Sequence, residues 1–480
     1  MSLWTSFEAA MATNGETTQD WVCNGVSIDT RTIEPGNLFV ALTDSRDGHE
    51  FVAEAFKKGA AAALVSRIPE GLEADAPLLL VDNVLNGLVA LAKVGRARTA
   101  ARVVAVTGSV GKTSTKEMLR AMLACQGSTH ASVASYNNHW GVPLSLARMP
   151  RDSAYAVIEI GMNHPGEIAP LAILARPHVA LVTTVAAVHL EAFDNVEGIA
   201  IEKAAVFSGL EDDGTAIFNA DIDTVDVLRG FASRSAGQVI EFGRDASAWK
   251  LVEARLSGNA TVAQALINGA PLIFKIQGAG VHFAMNALGA LASVTALGAD
   301  LAVAVSDLGR WSPLTGRGAR ETIWLDPIET ERTLDLIDDA YNSNPTSLGA
   351  ALEVLASNQT EGDISRIGKG RRIAFVGDMK ELGHEEVRMH LSIFEHQAFD
   401  KIDVVHTIGP LMRHLYEALP LEKRGLWAET SEDIASQARH LVDAGDCVLV
   451  KGSLSMGLDK VVDAIRKLGH PAPQSRNEDQ

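Results

Sequence analysis

Arg102-Val-Val-Ala-Val-Thr-Gly-Ser-Val-Gly-Lys-Thr113 is a β-branched strand running into a glycine turn that ends in Gly-Lys-Thr. Such a stretch reads as a phosphate loop. Bare backbone N–H groups at Gly108 and Gly111 can close around phosphate oxygens, Lys112 can reach the terminal phosphates, and the Thr113 hydroxyl can meet Mg²⁺ at a helix start. ATP or GTP is therefore the first ligand expected. The spacing departs from the common G-x-x-x-x-G-K-[ST] pattern, because Val106 stands where the first glycine would be. A glycine-rich turn without a ligand is the plainer alternative, but it does not account for Lys-Thr directly after an aliphatic strand.

Working outward, aliphatic runs recur at 155–160, 179–185 and 216–219 with helical stretches between them. That alternation predicts an α/β fold with a mainly parallel sheet and helices on both faces. Upstream, short strands at 22–28, 38–42 and 61–65 with a helix at 50–58 suggest a small α/β domain. A helix over 84–99 leads from it into the phosphate loop. Downstream, the alternating, Gly/Asn-punctuated stretch 251–276 suggests hairpins appended to the central domain, followed by an Ala/Leu-rich helix from 284. A boundary near Trp311-Ser-Pro313 precedes a second α/β series with strands at 333–337, 372–376, 404–408 and 447–450. The domains are therefore placed at 1–84, 85–312 and 313–480, with a polar tail at 470–480 expected to be disordered.

The chain has 480 residues, 47% of them hydrophobic, which is enough for about three cores. A net charge of −18 argues against non-specific nucleic-acid binding or a polybasic membrane contact. Cys23, Cys125 and Cys447 are three widely spaced cysteines and suggest a reducing, cytoplasmic setting rather than a disulfide framework. Neither a charged-then-apolar leader nor a run of about 18 apolar residues is seen, so no membrane insertion is expected.

In open parallel sheets, ligands gather at the carboxyl ends of the strands. Glu159 falls at such an end, where a buried carboxylate calls for a cation; a carboxylate facing solvent is the alternative. His189 follows the 179–185 strand and could ligate a metal, although a lone histidine is more often structural. Lys203 lies in a helical stretch, where a solvated lysine is the ordinary reading. Asn137-Asn138 before Gly141-Val-Pro143 is either a pair of ligand-facing amides or a simple turn. Asp338-Asp-Ala-Tyr-Asn-Ser-Asn-Pro345 puts carboxylates and amides at another strand end, more densely than an Asx turn alone explains.

Taken in order, these segments resemble the Mur ligase family over nearly the whole chain. The resemblance also rests on Asp29-Thr-Arg31, Pro35-Gly-Asn-Leu-Phe-Val-Ala-Leu42 and Asp47-Gly-His-Glu-Phe51, which precede the phosphate loop. After it come Glu159-Ile-Gly-Met-Asn-His-Pro-Gly-Glu167, His189-Leu-Glu191, Gly377-Asp-Met-Lys-Glu-Leu-Gly383 and Val450-Lys-Gly-Ser453. The loop alone would specify only the wider amide-ligase class, which includes folylpolyglutamate synthases.

What the resemblance implies is a three-domain architecture: a small N-terminal α/β domain, a central phosphate-loop sheet and a C-terminal Rossmann-like α/β domain. It implies a monomeric ATP-dependent ligase with no nucleic-acid partner, joining D-alanyl-D-alanine to UDP-N-acetylmuramoyl-tripeptide through an acyl phosphate. By the family pattern, Thr107, Gly108, Ser109, Gly111, Lys112, Thr113 and Ser114 hold ATP phosphates. Asn286 serves the adenine side, Arg317 approaches the phosphates, and Asp339, with Asn342 and Asn344 beside it, meets the ribose. Two Mg²⁺ ions are implied, the first on Thr113 and Glu159, the second on Glu159, His189 and a carbamylated Lys203. Lys112, Glu159, His189 and Lys203 are the implied catalytic set. Ser27, Thr30, Arg31, Asp47 and His49, with Asn137 and Asn138, are implied near the sugar nucleotide or peptide. Three positions depart from the pattern: His139-Trp140 after the paired asparagines, Leu454 where an arginine is frequent, and Val110 in place of a common Asn.

Overall fold

The computed structural model describes residues 2–73, 75–360 and 369–471. Most of the tail expected to be disordered, 472–480, lies outside the described residues.

At the centre is a nine-stranded sheet. From one edge, Thr129–Ala131, Tyr155–Glu159, Arg102–Thr107, Val179–Val182, Thr215–Asn219, Gln238–Gly243 and Trp249–Ser257 are all parallel. Alternation along Arg102–Thr107 places Val104 and Val106 in one apolar core and Val103 and Ala105 in another, so both faces are covered. Burial on both sides explains the unbroken aliphatic runs of the sequence. The stretch expected as appended hairpins does form two antiparallel hairpins, and they continue this sheet. Phe242 and Gly243 pair with Trp249 and Lys250, and Ala260–Ile267 and Ala270–Ile276 follow antiparallel. Helix Val281–Ala296 buries Phe283, Leu288 and Leu291 against that extension.

The N-terminal sheet has five strands in the order Glu16–Thr17, Leu78–Leu80, Ala62–Val65, Asn37–Val40 and Gly25–Ser27, with only the first antiparallel. Helix Val84–Ala97 bridges it to the centre. Its Leu88 and Leu91 pack with Leu38 and Val40, while Ala92 joins the core of the central sheet. Helix Ser6–Thr13 was not foreseen, although Thr5 and Glu8 form the reciprocal capping box that its sequence spells. Trp4 ties this end to the centre through Ala147 O at 2.9 Å, and the Arg98 guanidinium lies 3.8 Å over its ring.

The C-terminal sheet runs Ala319–Trp324, Thr333–Asp339, Cys447–Lys451, Arg372–Gly377, Val404–Ile408 and Arg424–Ala428, with the first strand antiparallel. Ile337, Ala374, Val376 and Leu449 point to one core, and Leu336, Phe375 and Val450 to the other. Asp338 and Asp339 belong to the strand itself rather than to the turn after it. No helix among the described residues is long and apolar enough to cross a membrane.

Candidate active site

A cavity of about 400 Å³ lies where the carboxyl ends of the central strands face the C-terminal sheet. The phosphate loop forms its floor. Gly108 and Gly111 have φ of 149° and 86°, and neither has room for a side chain. A Cβ would sit 1.9 Å from Thr183 Oγ1 at Gly108 and 2.7 Å from Asn286 Oδ1 at Gly111. The loop is held from behind, with Thr183 Oγ1 donating to Val110 O at 2.6 Å and Ser109 N to Thr184 O at 2.8 Å. Val110 therefore contributes its backbone, which tolerates the departure from Asn. Thr107 is buried beneath the loop, while Ser109, Lys112 and Ser114 line the cavity.

Lys112 Nζ donates to Gly108 O at 2.6 Å, folded back over the loop. Burial pushes its pKa down, Glu159 pulls it up and the Arg317 charge lowers it again. Glu159 ends the Tyr155–Glu159 strand opposite Val106 and is wholly buried. Its Oε1 accepts from the Thr113 hydroxyl at 3.2 Å and from Asn137 Nδ2 at 2.7 Å. Oε2 has no hydrogen-bond partner and stands 3.8 Å from Lys116 Nζ. A buried carboxylate oxygen left open beside a hydroxyl is a donor set suited to a hard cation.

Across the cavity, Arg317 Nη2 donates to Ser135 Oγ at 2.8 Å, and its guanidinium lies 4.0 Å over the Tyr341 ring. Asp339 Oδ2 accepts from Lys451 Nζ at 2.7 Å, and Lys451 also donates to Asn342 O at 2.9 Å. Burial raises the Asp339 carboxyl pKa, with Lys451 opposing. Asn344 caps helix Pro345–Ser357 reciprocally with Ser347. The expected Asx turn is thus present, and Asn342 and Asn344 still line the cavity.

His189 also lines the cavity, in a left-handed turn with φ of 55°. Lys203 lies on helix Val196–Ala204, 1% exposed, which displaces the reading of a solvated lysine. Burial pushes its pKa well below the ordinary lysine range, the nearby Lys112 charge adds to this, and Glu202 opposes it. Glu202 itself accepts from Gly166 N at 2.8 Å and Ile168 N at 2.7 Å. Among the described residues no three His, Cys, Asp or Glu side chains gather as a metal cluster. The expected set draws only Glu159 and His189 from those types.

Of the residues expected near the sugar nucleotide or peptide, Asn137 lines this cavity and the others stand apart from it. Ser27 is buried and donates to Asp29 O at 3.1 Å, and Thr30 O accepts from Lys58 Nζ at 2.9 Å. Asp47 accepts from His49 N at 3.0 Å and pairs with His49 Nδ1 at 2.7 Å, while His49 Nε2 accepts from Ser66 N at 3.0 Å. Arg31 is exposed, with Asp29 at 2.6 Å. Asn138 Oδ1 accepts from Gly141 N at 2.9 Å, at the start of helix Gly141–Ala147, whereas Asn137 reaches Glu159. Trp140 packs edge-on to Tyr136 at 5.3 Å, and Leu454 is exposed.

Sequence reasoning missed Lys116, Ser135 and Tyr341. Lys116 left one signal: a second lysine four residues after Lys112, on the same face of helix Lys112–Ala124. It is wholly buried and donates to Ser132 O at 2.9 Å and Ala134 O at 2.5 Å.

A phosphate loop walled by a second α/β domain defines a multidomain nucleotide-binding protein of the phosphate-loop class. Residues 106–294 match the Mur ligase middle domain, and residues 325–454 match the Mur ligase, glutamate ligase domain. The chain is 31% identical over 463 residues to the UDP-N-acetylmuramoyl-tripeptide--D-alanyl-D-alanine ligase of Rickettsia prowazekii, covering 96% of this chain and 99% of that one. Its fold is similar to that of MurF from Acinetobacter baumannii, with a TM-score of 0.81, 26% identity, and 97% and 99% of the two chains covered. MurF ligase from Thermotoga maritima in complex with ADP gives 0.75 at 26% identity, covering 93% and 97%. The chain belongs to the Mur ligase family.

Proposed function

We propose that this chain joins D-alanyl-D-alanine to UDP-N-acetylmuramoyl-tripeptide at the expense of ATP, in peptidoglycan precursor synthesis. The likeness to a ligase of that name over nearly the full length of both chains carries the reading. The cavity supports it, because the loop lysine, the half-open Glu159 and Arg317 face one space.

A carboxylate is a poor electrophile, and phosphate is a far better leaving group than oxide. The terminal carboxylate of the tripeptide attacks the γ-phosphorus and ADP departs. The dipeptide amine then attacks the acyl carbon, phosphate leaves, and the ammonium proton passes to solvent. Lys112 stabilises charge on the transferring phosphoryl group and Arg317 does so from the opposite wall. Asp339 holds the ribose, Asn286 serves the adenine side, and Asn342 and Asn344 complete that wall. Thr113 and Glu159 would hold one Mg²⁺, and Glu159, His189 and carbamylated Lys203 a second. When bound, Mg²⁺ neutralises phosphate charge. Burial beside Lys112 favours the neutral Lys203 amine, which can attack CO₂, form a C–N bond and lose a proton to give an anionic carbamate.

By the same reading, residues 1–84 hold the sugar nucleotide, 85–312 the ATP, and 313–480 the dipeptide as they close over ATP. Ser27, Thr30, Arg31, Asp47 and His49 lie at the first of these. The test is phosphate release from ATP with each co-substrate omitted in turn, and the product weighed by mass spectrometry. Release that needs both, with a product heavier by one dipeptide, is expected. Release that ignores the sugar nucleotide would sink the reading.

A further inference from the structure

The turn Glu381–Gly383 of the C-terminal domain abuts the turn 189–191 of the central domain. His189 Nδ1 and Glu381 Oε2 are 2.6 Å apart across that boundary. Both residues have left-handed backbones, with φ of 55° and 66°. Gly383 follows at 62°, so close that a Cβ there would sit 3.1 Å from Leu190 O. Two non-glycine residues in that sparsely populated region, facing each other, mark a contact that the surrounding structure enforces.

We infer that Glu381 is a positioning residue, holding the His189 ring across the domain boundary so that its Nε2 is presented to the cavity only when the C-terminal domain is docked. This rests on the proposal that His189 ligates metal. The chemistry is directional. An ionised carboxylate only accepts, so the short contact puts a proton on Nδ1, and in the neutral ring that leaves the Nε2 lone pair for a cation. Carboxylates that hold the far nitrogen of a ligating histidine fix its tautomer and ring angle, and their loss weakens metal binding about 10–100-fold. Here that carboxylate belongs to a different domain from the histidine it holds. Docking the C-terminal domain would therefore complete the metal site as well as bring Arg317 and Asp339 to ATP. Sequence separation hid the pair, since 189 and 381 lie in motifs that carry no mark of each other.

The test is Mn²⁺ titration in the presence of ADP, followed by electron paramagnetic resonance, on the full chain and four variants. Glu381→Ala is expected to weaken the His189-dependent Mn²⁺ site about tenfold or more. Glu381→Gln keeps a carbonyl acceptor for Nδ1–H and should stay within about threefold of the parent. Glu381→Ala added to His189→Ala should change nothing further, because the carboxylate acts only through the ring. Glu381 is half exposed, so thermal midpoints should stay close to that of the parent, separating positioning from a folding defect. Loss of Mn²⁺ affinity in His189→Ala with none in Glu381→Ala would overturn the inference and leave the ligand set standing. Unchanged binding in His189→Ala would overturn both. Neither readout needs turnover, so a failure of the proposed reaction shows separately.

Discussion

The cavity between the central and C-terminal domains and the candidate face of the N-terminal domain were both expected to bind nucleotides, yet they are built differently. In the cavity, functional groups are left open. Glu159 Oε2 has no hydrogen-bond partner, and behind the lining Lys203 is buried on helix Val196–Ala204 with no ion pair among the described residues. On the N-terminal face the polar groups are committed to one another. Arg67 and the His49 backbone hold the Asp47 carboxyl well below the ordinary carboxylate range, and His49 bridges Asp47 to Ser66. Sites that handle moving charge keep uncompensated groups at some cost in stability, whereas a face that recognises a finished ligand can be rigid and self-satisfied.

The largest effects should come from two lysines, Lys112 lining the cavity and Lys203 buried behind it. Lys112→Ala is expected to lower kcat about 10²–10³-fold, the cost of removing one donor aimed at developing charge. Near-normal turnover would remove the loop from the mechanism. Lys203→Ala should be inactive by a similar factor but partly recoverable with acetate or formate, which supply the missing carboxylate. Full activity without rescue would make Lys203 structural and break the contrast between the two regions.

Smaller and opposite effects are expected on the N-terminal face. Arg31→Ala removes an exposed cation and should raise KM for the sugar nucleotide about tenfold, leaving Tm unchanged. Asp47→Ala removes the acceptor for His49 N and His49 Nδ1, and should cost about 1–2 kcal/mol of stability, read as a lower urea midpoint. Its KM should change less than that of Arg31→Ala. If the two variants exchange behaviour, Asp47 contacts the ligand and Arg31 is the structural residue.

Legibility followed the same division. The phosphate loop, the parallel sheet and Glu159 at its strand end could be read because aliphatic runs and glycine turns are local patterns. Asp338 and Asp339 were placed just past a strand that in fact includes them, since polar residues at a buried strand's end look like its termination. Burial of Lys203 could not be read, because helix Val196–Ala204 owes its buried side to helices packed against it from elsewhere in the chain. Ser135 escaped for a similar reason. Its importance is the Arg317 guanidinium arriving from 182 residues away, and no local pattern encodes that meeting.

The smallest effect concerns acid. Burial pushes His130, His178, His282 and His406 each down to about 4. All four lie outside the N-terminal sheet, whose own His49 is hydrogen-bonded at both ring nitrogens. The folded values lie below the unfolded value of about 6.5, so between those limits the unfolded chain binds protons that the folded chain refuses. Stability is therefore full above about pH 6.5, declines as pH falls toward 4, and stops responding to these groups below that. For His406, 2% exposed and stacked on Phe375, the loss at pH 5.5 is about 1 kcal/mol. Its Nδ1 accepts from Leu426 N at 2.9 Å, so His406→Gln can keep an acceptor while removing the titration. Urea midpoints at pH 7.5 and 5.5 should converge in that variant relative to the parent. An unchanged pH slope would mean that the other three buried histidines, and not His406, carry the acid dependence.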